Sequence, residues 1–235
     1  MPKSYITKKL SDLVKNRIRK LMENDSIIEI YSLICQLPQS RILLALDMAL
    51  TCTFITDEIK GNTAGYTSCF LYIYIKCQNS SNSIIDEAAI VIIFLHEFTH
   101  YLRKYYSNSM LSSITDTTPL EDIYRIEEIF ILKQNGQTSE RNDVDAIIKK
   151  RSSSSKKWKD SGYLFERCAF GCEVDFINIE SATYLMSTAD FDLAYFRKTM
   201  ISDHEAGETY DSYVIKRSYN RYNCITTSLI KLLNS

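Results

Sequence analysis

A stretch of about twenty residues from Asp86 to Lys104 contains no glycine or proline, and it constrains the fold more than any other part of the chain. It opens with two acidic residues and closes with two basic ones, which suits the dipole of a helix. The β-branched run from Ile90 to Ile93 also fits a buried strand, but the length of the stretch favours a helix. Because its first half is apolar all round, we predict a helix buried through the middle of a domain. Its apolar run is much shorter than the ~20 residues that cross a bilayer.

Two of the three histidines of the chain lie in the second half of this predicted helix, in the sequence His96-Glu97-Phe98-Thr99-His100. Residues four apart share a face of a helix, so both imidazoles can reach one metal ion. Glu97 is then placed to take a proton from a water molecule at that metal. The alternative is a core helix with two buried histidines and no metal. It carries the cost of burying polar groups without partners.

The motif and its flanks resemble the zincin metallopeptidases, in particular the gluzincins. That family prefers uncharged residues around and between the motif residues, a pattern met here by Phe94, Phe98, Thr99, Tyr101 and Leu102. The resemblance implies an α+β, mainly helical, zincin-like domain with a small sheet beside the motif helix. It also implies a zinc endopeptidase that holds one Zn²⁺ through His96 and His100 and uses Glu97 as the general base.

Two other functional classes stay open. One is a zincin-like binding domain without turnover, and the other is a metallohydrolase that acts on substrates other than peptides. The intact Glu97 favours an enzyme, because a domain without turnover has no chemical need for that acid.

A catalytic zinc usually has three protein ligands, and the third is not fixed by the motif. We favour Glu166, which is the lone acid in an otherwise mostly apolar segment from Ser161 to Gly171. Ser161 is predicted to cap that helix and Gly171 to end it. A salt bridge with Arg167 or Arg103 is the other role open to Glu166. Further candidates for the third ligand are Glu121, whose spacing is near that of thermolysin-like enzymes, and Glu127, Glu128, Glu173 and His204.

A group that stabilises the oxyanion is also expected from the resemblance. His204 could donate such a hydrogen bond, although a surface histidine flanked by acids is its simpler role. Among the sixteen tyrosines, three that follow Glu166 are candidates, namely Tyr184, Tyr210 and Tyr213. Asp175 or Glu173 are candidates for acceptors that orient the imidazoles.

The remaining chain is predicted to form one compact domain in three parts. Residues 1–60 read as helices over Tyr5–Glu23, Ser26–Gln36 and Ser40–Ile55. Residues 61–200 form the catalytic core, which includes a turn at 62–65, a strand at 69–76, a helix at 119–133 and a polar loop at 134–160. The strand is either an edge that pairs with an extended substrate or part of the core sheet. Residues 201–235 are expected to pack on the core or contact the substrate.

Composition excludes several functional classes. The net charge of −1 gives no electrostatic signature of nucleic-acid binding. Seven cysteines at irregular spacing indicate reduced thiols rather than a disulfide framework. No apolar stretch in residues 1–25 predicts a signal peptide, so a cytosolic setting is expected. The chain is also similar to small bacterial effector metalloproteases that are delivered into host cells. That similarity implies limited cuts in specific proteins, with host actin as the leading substrate. No membrane span is expected, because the longest apolar run is too short.

Overall fold

The computed structural model describes residues 7–57, 59, 64–68, 70–77, 80, 82–106, 117–118, 159–187, 189–207 and 212–215. Within these residues the protein is α+β and mostly helical, with a small mixed sheet, and that prediction is confirmed. The predicted helix at 119–133, almost all of the polar loop at 134–160, and residues 216–235 lie outside the described residues.

The described helices fall in two groups along the chain. The first group is α1 (Asp12–Leu21), α2 (Asp25–Cys35), α3 (Gln39–Thr51) and the long motif helix α4 (Ser83–Tyr106). The second group is α5 (Ser161–Phe170), α6 (Ile179–Ser187) and α7 (Leu193–Ala206). The boundaries predicted from the sequence for α2, α4 and α5 agree with these bounds to within a few residues.

Four short strands form the main sheet in the order β1-β2-β4-β3. They are β1 (Thr7–Lys9), β2 (Thr53–Thr56), β3 (Gly65–Thr67) and β4 (Ile73–Lys76). The central pair β2–β4 is parallel, while β1 and β3 pair antiparallel at the two edges. Two-stranded pairs join β5 (Thr117–Thr118) to β6 (Lys159–Asp160), and β7 (Phe176–Asn178) to β8 (Ser212–Val214).

The sheet corrects three predictions. The first predicted helix begins only at Asp12, because residues 7–9 pair with β2 instead. The third ends at Thr51, because the β-branched and aromatic residues from Thr53 to Thr56 form β2. Of the predicted strand at 69–76, residues 70–72 are not strand and Ile73–Lys76 form β4, which lies between β2 and β3 in the described sheet rather than at an edge. Its core-sheet role is therefore the correct one.

The motif helix lies in the middle of the molecule, as its apolar pattern predicts. Side chains from Ala88 to Leu102 are all buried, and α4 packs against β3, β4, α1, α2, α5 and α6. Its support includes Tyr31 of α2, whose buried hydroxyl donates to the Leu95 carbonyl at 2.7 Å and whose ring stacks on Phe165. Such a hydroxyl needs a partner once it is removed from water. This bond therefore fixes α2 against the turn that leads into the motif.

A single cluster of buried side chains runs from Leu10 to Ile215, so the N-terminal helices share a core with the later elements. The boundary predicted at residue 200 falls inside α7, while the boundary at residue 60 stays a prediction. Among the described residues, no single helix is long and apolar enough to cross a membrane. The consecutive helices α2 and α3 are together long and apolar enough by length and composition only, and the chain bends by 97° between them.

Candidate metal centre

The two motif histidines point to the same side of α4, as the four-residue spacing predicts. His96 and His100 are 7% and 5% exposed, and their ring centroids are 5.4 Å apart. Glu97 between them is 5% exposed. Three buried ionisable side chains within five residues of an apolar helix require partners from elsewhere in the fold.

Asp160, the last residue of β6, supplies the partner that faces both histidines. Its Oδ1 lies 3.1 Å from His100 Nε2 and 3.3 Å from His96 Nε2. The three ligand atoms all lie within 4.8 Å of one another. Two imidazole nitrogens and one carboxylate oxygen are donors that zinc prefers, and three protein ligands leave a fourth position for water. The three residues therefore form a cluster that could hold a metal ion, and their donor atoms are ones that suit zinc.

Local structure holds Asp160 at this point. The residue caps the N-terminus of α5, where its Oδ1 accepts the backbone N–H groups of Gly162 at 2.8 Å and Tyr163 at 3.3 Å. The predicted cap was Ser161, one residue later, which instead begins the helix. Because the cap fixes the carboxylate on the helix end, the start of α5 sets its position relative to α4.

The other ring nitrogens of both histidines are also occupied. Glu166 on α5 is fully buried, and its Oε1 accepts from His96 Nδ1 at 2.6 Å. Its Oε2 accepts the backbone N–H of Val174 at 2.7 Å. The buried Ser161 hydroxyl lies 3.3 Å from His100 Nδ1. With Nδ1 of each ring held in this way, Nε2 is the nitrogen atom that each ring can offer to a metal ion.

This geometry distinguishes Glu166 from Asp160. The structure brings Glu166 to the site, as predicted, but places it against Nδ1 of His96, whereas Asp160 lies against Nε2. The two nitrogens lie on opposite edges of the ring. An ion bound between the Nε2 atoms is therefore adjacent to Asp160 and separated from Glu166 by the imidazole. Arg167 pairs with Glu173 at 3.0 Å, and a salt bridge of Glu166 with Arg167 or Arg103 stays a prediction.

The charges in this cluster perturb one another strongly. Burial opposes a charged imidazole at His96, but the negative charge of Asp160 and hydrogen bonds to Asp160 and Glu166 outweigh it and raise the pKa to about 10. At His100 burial is again outweighed, chiefly by Asp160, and the pKa is raised. Burial would raise the pKa of Asp160, yet the charges of His100 and His96 lower it well below its usual range. Without metal, His96 therefore holds a proton that a bound cation must displace.

Glu97 faces the edge of the main sheet. The hydroxyl of Thr67 in β3 donates to Glu97 Oε2 at 2.9 Å and lies 3.1 Å from the Glu97 carbonyl oxygen. Gly65 allows the close approach, because a Cβ there would lie 2.6 Å from Ile93 Cγ2 and 3.3 Å from Glu97 Cγ. The carboxylate is therefore held between the histidines and strand β3.

The N-terminus of α5 packs directly on His96. A Cβ on Gly162 would lie 2.2 Å from His96 Cδ2 and 2.3 Å from its Nε2, far inside ordinary contact distance. The ring of Tyr163 packs edge-on against the same imidazole, with centroids 4.9 Å apart. Only a residue without a side chain at position 162 permits this packing.

The predicted oxyanion stabilisers lie elsewhere or outside the described residues. His204 is exposed on α7 and stacks on Phe176, with centroids 5.9 Å apart. Tyr184 packs among aromatic side chains, and its hydroxyl accepts the N–H of Asp192 at 3.2 Å. None of the contacts described for these two side chains involves the motif. Tyr210, Glu121, Glu127 and Glu128 lie outside the described residues, as does the side chain of Tyr213.

Two further predictions concern acceptors for the imidazoles. Glu173 pairs with Arg167, and Asp175 is exposed, with its backbone oxygen accepting the N–H of Ile215 at 2.6 Å. Glu166 and Ser161 instead contact the Nδ1 atoms of the two rings, the orienting position predicted for Asp175 or Glu173. The sequence carried one usable signal for Asp160, an acid immediately before a predicted helix start. It carried none for Thr67, which reaches Glu97 only through the fold.

Comparison with known proteins identifies no relative: no family model, no curated protein and no solved structure matches the chain.

Proposed function

We propose that the protein is a zinc-dependent endopeptidase whose metal is held by His96, His100 and Asp160. The observation that carries the proposal is the convergence of both Nε2 atoms on Asp160 Oδ1 while both Nδ1 atoms are held from behind. In this proposal Asp160 replaces Glu166 as the third ligand. Glu166 instead orients His96, a role in which a carboxylate also raises the basicity of the liganding imidazole.

A zinc ion bound there would lower the pKa of a water molecule toward ~7 and polarise a substrate carbonyl. Glu97 adjoins the first ligand and accepts the proton of the water that attacks the peptide carbon. It then donates that proton to the departing amine nitrogen. The bond from Thr67 keeps the carboxylate pointed along the edge of the sheet during both transfers.

Strand β3 supports a peptide as the substrate. Ala64 accepts from Lys76 and Ser68 donates to Tyr72, so the even-numbered residues of this segment bond to β4. The backbone groups of Gly65 and Thr67 then point away from β4, at the outer side of the described sheet and beside Glu97, where Lys104 donates to the Thr67 carbonyl. An extended chain can pair with these groups and present its backbone to the metal centre. This assigns to β3 the edge role that the sequence placed at residues 69–76.

The similarity to effector metalloproteases makes specific host proteins the proposed substrate class, and actin is the first to test. Pairing at a sheet edge recognises backbone rather than side chains. Selection of one protein must therefore come from contacts beyond that pairing.

The decisive experiment combines metal analysis with cleavage. The purified protein should contain close to one zinc per chain, and it should generate new N-termini in a lysate and in purified actin. Glu97→Gln should retain zinc and produce no new termini, because glutamine preserves the shape and the acceptor for Thr67 but cannot take a proton. Glu180→Gln, on the exposed surface of α6, is the matched control and should cleave normally.

Each outcome separates the functional classes. Zinc with no cleaved protein indicates a binding domain or another hydrolase. A protein that contains no zinc would contradict the proposed metal centre. Full activity of Glu97→Gln would contradict the proposed role of Glu97 as the base.

A further inference from the structure

Thr99, the residue before the second motif histidine, is fully buried, and its hydroxyl lies within a series of hydrogen bonds. Its Oγ1 donates to the backbone carbonyl of His96 at 2.7 Å, a bond that threonine often makes to the preceding turn of its own helix. The same oxygen lies 3.4 Å from the hydroxyl of Ser161, which is also fully buried. Ser161 in turn lies 3.3 Å from His100 Nδ1. Two hydroxyls therefore connect a backbone carbonyl of α4 to the ring of the second histidine.

Each of these two hydroxyls carries a single proton, and this fixes the direction of all three contacts. A carbonyl oxygen can only accept, so the contact with His96 takes the proton of Thr99. The Thr99 oxygen is then the acceptor at the second contact, and Ser161 donates to it. Because Ser161 has no second proton, its oxygen must accept the N–H of His100 Nδ1 at the third contact. The carbonyl at one end of the series thus determines which ring nitrogen carries a hydrogen at the other end.

This direction gives both motif histidines the same tautomer. A neutral imidazole with its hydrogen on Nδ1 has its lone pair on Nε2, and Nε2 of His100 is the atom that lies 3.1 Å from Asp160 Oδ1. At His96 the carboxylate of Glu166 has the same effect, because an ionised carboxylate can only accept from Nδ1. One ring is therefore oriented by a buried acid and the other by two neutral hydroxyls.

Resting on the proposed function, we propose that Thr99 is a positioning residue that fixes the tautomer of His100 through Ser161, so that Nε2 is offered to the metal. Without the Thr99 oxygen, the proton of Ser161 loses its acceptor, and a buried donor without a partner is unfavourable. That proton can then turn towards His100 Nδ1. A bond in this direction places the ring hydrogen on Nε2, where it opposes metal binding.

Chelator competition for zinc tests the role of the Thr99 hydroxyl. Thr99→Val, which keeps a similar shape, should weaken zinc binding about tenfold, the lower range for changes in groups that orient a ligand. Thr99→Ser retains the hydroxyl and should bind zinc to within about twofold of the wild type. Thr183→Val is the matched control on the exposed surface of α6. It removes the same kind of bond, from Thr183 Oγ1 to the Ile179 carbonyl at 2.7 Å, and should leave zinc affinity unchanged.

Ser161→Ala separates an effect through the two hydroxyls from a general loosening of α4. In the Ser161→Ala background, Thr99→Val should cost at most about twofold in zinc affinity, because the series of bonds is already interrupted. An equal cost of Thr99→Val in both backgrounds would overturn the proposal. Failure of Thr99→Ser to restore binding, or a similar loss in Thr183→Val, would overturn it as well.

NMR spectra of ¹⁵N-labelled histidine in the zinc-loaded protein give a measurement independent of affinity. Both motif rings should carry a hydrogen on Nδ1, and a His100 ring with its hydrogen on Nε2 would contradict the proposal. In Thr99→Val the Nδ1 hydrogen of His100 should exchange with solvent faster, while that of His96, which bonds to Glu166, should not change. If these results were obtained with a wild-type protein that cuts no peptide, Thr99 would keep its role and the peptidase would be excluded. A wild-type protein that binds no zinc would contradict both proposals.

Discussion

Replacement of Gly162 by alanine tests the packing of α5 on the metal centre. The new Cβ would lie 2.2 to 2.4 Å from three ring atoms of His96, whereas ordinary contacts begin near 3.4 Å. The imidazole or the helix end must therefore move by about 1 Å. Bonds to zinc tolerate only ~0.2 Å of deviation. We expect Gly162→Ala to weaken zinc binding on the order of 100-fold, the upper range for changes in groups that orient a ligand.

The sign of the change in the free energy of unfolding tests the same contact independently. In an ordinary helix, alanine is favoured over glycine by up to about 1 kcal/mol. Inserting a methyl group into a filled site costs about 1–3 kcal/mol. Because the steric effect is larger here, the metal-free variant should be less stable than the wild type by up to about 2 kcal/mol, in contrast to the stabilisation that propensity alone gives.

The assay is chelator competition for zinc, together with urea unfolding of the metal-free proteins. Gly65→Ala is the comparison, because its Cβ would meet Ile93 at 2.6 Å and displace β3 without touching a proposed ligand. That variant should lose stability while keeping its zinc affinity to within a few-fold. If Gly162→Ala bound zinc like the wild type and unfolded at a higher urea concentration, the proposed contact between α5 and His96 would be refuted.

Three further predictions test the surroundings of the site. Asp160→Asn should weaken zinc binding by at least ~100-fold and Glu166→Gln by only ~10-fold in chelator competition, and the reverse order would restore Glu166 as the ligand. Because the pKa of His96 is raised to about 10, zinc must displace its proton, so affinity should still rise about tenfold per pH unit between pH 7 and 8.5. A plateau above pH 7, as expected for histidines of ordinary pKa, would contradict this. Tyr31→Phe should lower the free energy of unfolding by about 1 kcal/mol in urea, since it removes the bond to Leu95, and an unchanged midpoint would show that this bond contributes nothing.

The local sequence pattern correctly predicted the features that depend on residues close together in the chain. The apolar run before His96 marked the buried helix, the four-residue spacing placed both histidines on one face, and Gly171 ended α5 in a left-handed conformation. These features depend on neighbours within a turn or two. The sequence also predicted that Glu166 lies at the site, because a lone acid in an apolar segment needs a buried partner.

Contacts between segments that are far apart in the sequence could not be predicted from local pattern. Strand β1 has three exposed residues and exists only because β2 lies beside it. Asp160 reads locally as part of a polar stretch, and its role appears only when α5 packs on α4. The distinction between ligand and orienting group depends on which edge of an imidazole a carboxylate meets. Spacing along the chain carries no information about that choice.

The placement of the ligands on both sides of a long stretch of chain has a mechanical consequence. His100 and Asp160 are sixty positions apart. A metal ion that joins them closes a ring of that length and acts as a cross-link between the two groups of helices. A permanent cross-link over such a ring removes about 4 kcal/mol of chain entropy from the unfolded state. Zinc would then add to the shared hydrophobic core in holding the two groups of helices together, besides supplying the chemistry.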